Sequence, residues 1–272
     1  MVIVNNTGYS SVKIFCESRT ANPSSSSARK NWALKMPIVI PNATNISMLC
    51  SVESASIPLS YYTINETNNK FSFNSITSGE IPHGNYSINS LILALHEVQK
   101  LFTFSYVKTT SKLSITSKQT IEGTDYNTVD FISNNIYKLI GLKPDTQFIG
   151  LNYVAPNPIN LVYTSGIYLS LNNIQNANLD LGTNNQSSNV LLRIPVSQPT
   201  NTYLQYFNAI GFKNLLSTKV LASIDLSLLD DNRNLLQLTD NVDWCIVLRI
   251  DFERTIVETQ ETTKIHKLKL GL

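Results

Sequence analysis

Charge is what this sequence has least of. Asp, Glu, Lys and Arg make up 15% of its 272 residues, against about 25% in an ordinary soluble domain. The net charge is +2, so there is no bulk electrostatic case for a nucleic-acid binder. Cysteines number three, Cys16, Cys50 and Cys245. The odd count, wide spacing and lack of a CxxC pair exclude a disulfide framework and a zinc site. No apolar run approaches the ~20 residues that span a bilayer, so no membrane span is expected. The start, MVIVNNTGYS, has neither a basic region nor a long apolar core. It reads as no signal peptide, and synthesis inside the cell is expected. The six Asn-X-Ser/Thr sequons, at Asn5, Asn42, Asn45, Asn65, Asn85 and Asn185, then read as a by-product of composition.

Signatures of chemistry are also missing. The chain contains no HExxH, GxSxG, Walker A or GxGxxG. Its three histidines are His83, His96 and His266. None has a carboxylate or Ser partner at a recognised spacing, and they are not placed as cupin ligands on strands. Asp225, Asp230, Asp231 and Asp240 form a loose acidic group. DDNRN lacks the EF-hand spacing and its Glu, so turn chemistry explains it. The expectation is a chain that is not an enzyme and holds no metal or cofactor.

What is present is apolar and neutral-polar. Hydrophobic residues are 42% and asparagines number 31. A surface of neutral polar groups loses little when another protein covers it, which suits a subunit packed in an assembly. An AT-rich coding sequence yields the same bias, and both readings stand. The strongest pattern lies at Val220–Glu253. Trp244, Ile246, Leu248, Ile250 and Phe252 share one face of an alternating run; Cys245, Val247, Arg249, Asp251 and Glu253 share the other. Upstream, Val220, Ala222, Ile224, Leu226 and Leu228 alternate with Ser223, Asp225 and Ser227. Period-two alternation over such lengths means half-buried antiparallel strands.

Further strands are expected at ISMLCSV, IPLSYYTI, KFSFN, GIYLSL and NVLLRIPV, with a hairpin from LFTFSYV and KLSITSK. Ser87 caps an expected helix Ile88–Lys100 with Ile88, Leu91, Leu95 and Val98 on one face. SNNIYKLIGL reads as a short helix closed by Gly141 and Leu142. YLQYFNAIGFK reads the same way, closed by Gly211 and Phe212. About eight or more strands with few parallel crossovers give an all-β fold. It is read as an antiparallel β-sandwich, with a single jelly roll as the leading version.

The organisation expected is an N-terminal arm over residues 1–45, partly flexible around the Ser-rich SRTANPSSSSARKN. A jelly-roll domain over 46–253 follows. Residues 254–272 form a last strand or an arm given to a partner. Trp32 is a candidate anchor of the arm, whereas Trp244 reads as core.

Two blocks carry a family resemblance. One is SIPLSYYTIN … FSFN … EIPHGNYSINSLILAL with FSYVKTTSKLSITS and NNIYKLIGL. The other is RIPVSQP … VLASIDLSLLDDNRNLLQLTDNVDWCIVLRIDF. Together they resemble the penton (minor capsid) proteins of virophages and Polinton-like DNA viruses, over about Ile46 to Phe252. The resemblance implies a single jelly roll with an inserted domain, placed around 83–160. It also implies a homopentamer at the icosahedral vertex beside the major capsid protein, located in the virion and assembled inside the host cell. The basic stretch around Arg29, Lys30 and Trp32 would face neighbouring capsomers or packaged DNA. The outer face of the long strands, Arg249, Asp251, Glu253 and Asp225, is the candidate subunit interface. The alternative is a β-sandwich carbohydrate- or receptor-binding attachment module using the Asn172–Asn189 loop.

Overall fold

The computed structural model describes residues 2–3, 11–22, 26–40, 45–73, 77–100, 102–117, 128–130, 136–143, 147–149, 152–172, 174, 178–180, 186–239 and 242–254. The chain divides into two compact units, Met1–Ser60 with Gly166–Leu272, and Tyr61–Ser165.

The first unit opens with β1 (Val2–Ile3), β2 (Ser11–Glu17), β3 (Arg29–Val39) and β4 (Ile46–Pro58). The second unit carries β5 (Lys70–Phe73), β6 (Thr77–Glu80), α1 (Ile88–Val98), β7 (Phe102–Val107) and β8 (Lys112–Ser117). Within it follow β9 (Thr128–Asp130), α2 (Ile136–Leu139), β10 (Gln147–Ile149) and β11 (Asn152–Pro158). The first unit then resumes with β12 (Gly166–Leu171), β13 (Asn178–Asp180), β14 (Gln186–Ser188) and β15 (Val190–Pro195). It ends with β16 (Tyr203–Phe207), β17 (Asn214–Leu215), β18 (Val220–Leu229) and β19 (Cys245–Arg254).

Besides a separate two-stranded sheet of β13 and β14, two large sheets build the first unit. One has the order β16-β4-β19-β2, with β17 also on β4; the other has the order β1-β3-β18-β12-β15. Along the chain, β2, β4, β16 and β19 fall in the first sheet and β3, β12, β15 and β18 in the second. This alternation between two four-stranded antiparallel layers is a jelly roll, with β1 added in parallel to the β3 edge at Ile38 and Val39. The core lies between the layers. Met48, Cys50, Val52, Ile57, Ile246, Leu248 and Ile250 come from the first sheet. Ile38, Ile167, Leu169, Leu171, Leu191, Ile194, Ile224, Leu226 and Leu228 come from the second. Trp244 is buried and meets Trp32 edge to face, ring centroids 5.7 Å apart. Its Nε1 donates to the Ser27 carbonyl.

Several expectations need correction. Residues 11–17 and 29–39 are not an arm outside the domain; they are two of the eight jelly-roll strands. Their hydrogen-bonded partners, β19 and β18, lie more than 180 residues away in sequence, which a local reading does not reach. The second unit begins at Tyr61, well before the expected 83. The long alternating strands β18 and β19 stand in opposite sheets, so Asp225 does not share an outer face with Arg249, Asp251 and Glu253. A register shift between Leu221 and Ser223 turns Leu221 inward and leaves Val220 and Ala222 exposed, against the face assigned to them. Tyr203–Phe207 is a strand rather than a helix, because the edge of β4 supplies its hydrogen bonds. The tail 255–272, with the expected alternation at Leu268, Leu270 and Leu272, lies outside the described residues.

The second unit has its own core. The Ser87 hydroxyl accepts from Ser90 N, and Ser90 Oγ accepts from Ser87 N, a capping box that starts α1. Leu91 and Leu95 of that helix pack with Phe102, Phe104, Leu113, Ile115, Ile136 and Ile140. The β7–β8 hairpin pairs Phe104 with Ile115 and Tyr106 with Leu113.

Candidate subunit interface

The first sheet turns its polar alternate positions outward. On β19, Arg249 and Glu253 are exposed, while Asp251 is buried beneath them. Arg249 Nε donates to Asp251 Oδ1 at 2.8 Å. Lys213 Nζ lies 3.1 Å from Asp251 Oδ2 and 2.8 Å from Glu253 Oε1. Burial alone would raise the Asp251 carboxyl, but the hydrogen bonds from Arg249 and Lys213 outweigh it and hold the group below its ordinary value. On β2, Lys13 reaches Glu53 at 2.6 Å, and Glu17 pairs with Arg19 at 2.8 Å. This face therefore satisfies its charges internally.

Asp225 is not part of that face. It stands on the outer side of the second sheet, accepting from Arg29 Nη2 at 2.9 Å and Asn172 Nδ2 at 2.8 Å. The structure thus brings Arg249, Asp251 and Glu253 together and places Asp225 on the opposite layer. Arg29, Lys30 and Trp32 lie within β3 and not on a free arm. Trp32 Nε1 donates to the Glu17 carbonyl at 3.2 Å, tying β3 to β2.

Sequence reasoning missed the most exposed apolar positions. Ile210 is 92% exposed, Phe207 72% and Phe15 66%; Tyr203 and Phe212 are also exposed. Tyr203 and Phe207 lie on the outward face of the edge strand β16, opposite buried Leu204. A turn follows. Asn208 Oδ1 accepts from Gly211 N, Asn208 Nδ2 donates to the Phe212 carbonyl, and Gly211 takes φ +71°. Ile210 sits at its tip. Phe15 lies on β2, the other edge of the same sheet. The available signal was the run Tyr203–Phe212, YLQYFNAIGF, ten residues without a charge.

No protein-family model matches the chain, and no curated protein matches it. It is similar in structure to the mavirus penton protein. That match has a TM-score of 0.47 and 12% identity, over 89% of this chain and 100% of the other. A chain of the Sputnik virophage structure gives a TM-score of 0.44 and 13% identity, over 90% and 98%.

The chemistry at hand is sparse. A cleft of about 250 Å³ is lined by Glu17, Arg19, Ser56, Tyr203, Asp243, Trp244 and Cys245. It contains no histidine, and burial together with the Glu17 charge pushes the Cys245 thiol up, which disfavours a thiolate nucleophile. Burial pushes the Cys16 and Cys50 thiols up to about 12. His96 joins α1 to β7, accepting from Phe104 N at 2.7 Å. His83 lies in the second unit and His266 outside the described residues. Asp230 accepts from the Asn232 and Asn234 amides, which is turn chemistry. Among the described residues no group of three His, Cys, Asp or Glu is placed to hold a metal. None of the described helices is long and apolar enough to cross a membrane. Half of the Asn172–Asn189 loop lies outside the described residues; in the rest, β13 and β14 pair as a short antiparallel hairpin.

Proposed function

We propose that the chain is a structural subunit of an icosahedral DNA-virus capsid, the penton that forms the pentameric vertex and contacts the surrounding capsomers of the major capsid protein. The observation that carries this reading is the β16 edge of the first jelly-roll sheet, where Tyr203, Phe207, Ile210 and Phe212 stand exposed. Contiguous exposed apolar surface on an edge strand is a self-association surface or a liability. The resemblance of the two sequence blocks to virophage pentons supplies the setting and the number five. Arg249 and Glu253 form a polar margin on the same sheet, and Asp225 on the other layer serves a different neighbour. Any contact with packaged DNA falls to Lys30 and Lys35, because Lys13, Arg19 and Arg29 are held in ion pairs. The role needs no cofactor and no catalytic residue. Native mass spectrometry of the full chain tests it: the mass of five chains is expected, and a monomer at every concentration would reject the reading.

A further inference from the structure

The sheet that carries the exposed aromatics has two edges, and they match each other. Its four strands alternate in direction, since β16 is antiparallel to β4, β4 to β19, and β19 to β2. The outer strands β16 and β2 therefore run in opposite directions. Two copies placed side by side, β16 of one against β2 of the next, continue an all-antiparallel arrangement. The registers align as well. Phe207 stands opposite Ser54, Ser54 opposite Val247, and Val247 opposite Phe15. One transverse row thus ends in an exposed phenylalanine at each edge. The neighbouring row runs Gln205, Ser56, Cys245, Glu17 and ends in polar groups at both edges.

We propose that the β16 edge with its Ile210 turn is a head-to-tail docking surface for the β2 edge of a second copy of this chain. The inference rests on the homo-oligomeric reading above and assigns it a surface. Three observations favour this occupant. Apolar residues at the two ends of one row, Phe207 and Phe15, meet across such a contact. The run Tyr203–Phe212 carries no charge, while the β2 charges Lys13 and Glu17 are already paired within their own chain by Glu53 and Arg19. Covering them leaves no charge without a partner. The Ile210 turn is fixed by two hydrogen bonds from one asparagine side chain, so the anchor is presented in a set geometry. Because the two surfaces differ, the contact is heterologous and closes into a ring when the rotation between copies allows it.

The experiment uses the full chain and two edge variants, Phe207→Asp with Ile210→Asp, and Phe15→Asp. Each variant alone is expected to be a monomer by light scattering, melting within a few degrees of the parent because the replaced side chains are exposed. Mixed in equal amounts they are expected to give a heterodimer and nothing larger, since each retains the edge the other lacks. Variants that still assemble like an oligomeric parent overturn the assignment and leave the oligomeric reading standing. Monomeric variants that fail to pair on mixing overturn it too, because they point to a symmetric contact. A parent chain that is itself monomeric overturns the oligomeric reading and this assignment with it.

Discussion

Asp251 shows how the outer face of the first sheet balances its charges. The side chain is buried yet remains ionised, because Arg249 and Lys213 bracket its two oxygens. Its folded pKa lies below the ordinary value. A depressed carboxylate contributes stability that is present above its unfolded pKa, near 3.9, and lost as pH falls through the folded pKa. Both cationic partners are more than a third exposed, so screening trims the contribution to about 1 kcal/mol at neutral pH. Asp251→Asn is expected to melt below the parent at pH 7, and the gap should shrink steadily below about pH 4. Thermal unfolding followed by circular dichroism at both pH values checks this. A gap that stays constant with pH would mean that the charge of Asp251 does not carry the effect.

At the scale of elements, regular pattern was readable and irregular pattern was not. The alternation of Ile167, Leu169 and Leu171 in β12, and of Trp244 through Ile250 entering β19, maps onto buried positions. Both strands have a neighbour on each side, so their inward faces reach the core. The start of β18 escaped, because a bulge at Ala222 breaks the period that defines a face. YLQYFNAIGF escaped because its apolar spacing suits a helix in isolation, while the edge of β4 decides in favour of a strand. The exposed apolar edge at Tyr203 and Phe207 escaped for a related reason. Polar alternates mark an outward face, but whether Phe207 is covered depends on its strand lying at a sheet edge, which only the pairing of distant segments determines.

Gly141 and Gly211 are both legible as chain reversals, and they make a controlled comparison. Each has positive φ, +79° and +71°. Gly141 ends α2, with Leu142 N donating back to the Tyr137 carbonyl. A Cβ there would stand 2.1 Å from the Asn157 carbonyl oxygen, whereas at Gly211 nothing lies within 4 Å. Gly211→Ala then costs only the left-handed conformation, about 1 kcal/mol. Gly141→Ala adds a backbone clash and is expected to cost about 2–4 kcal/mol. Urea denaturation of the two variants should separate them; equal losses would mean that the approach of Asn157 relaxes at no cost.

For the whole molecule, the consequential fact is that two hydrophobic cores share one chain. The buried cluster of the second unit, from Ile64 to Ile159, is drawn entirely from residues 61–165. The jelly-roll core is drawn from strands on either side of that stretch. A cavity opened in one core removes contacts from that core alone, and proteins open locally in cooperative units. Leu91 is fully buried on α1, so Leu91→Ala is expected to cost about 2–5 kcal/mol within the second unit. Hydrogen exchange on the full chain reads the outcome by segment. Amides of α1, β7 and β8 should lose protection while those of β18 and β19 keep theirs. Equal loss in both sets would show that the cores unfold as one, and the chain would then have to be treated as a single cooperative domain despite its interrupted jelly roll.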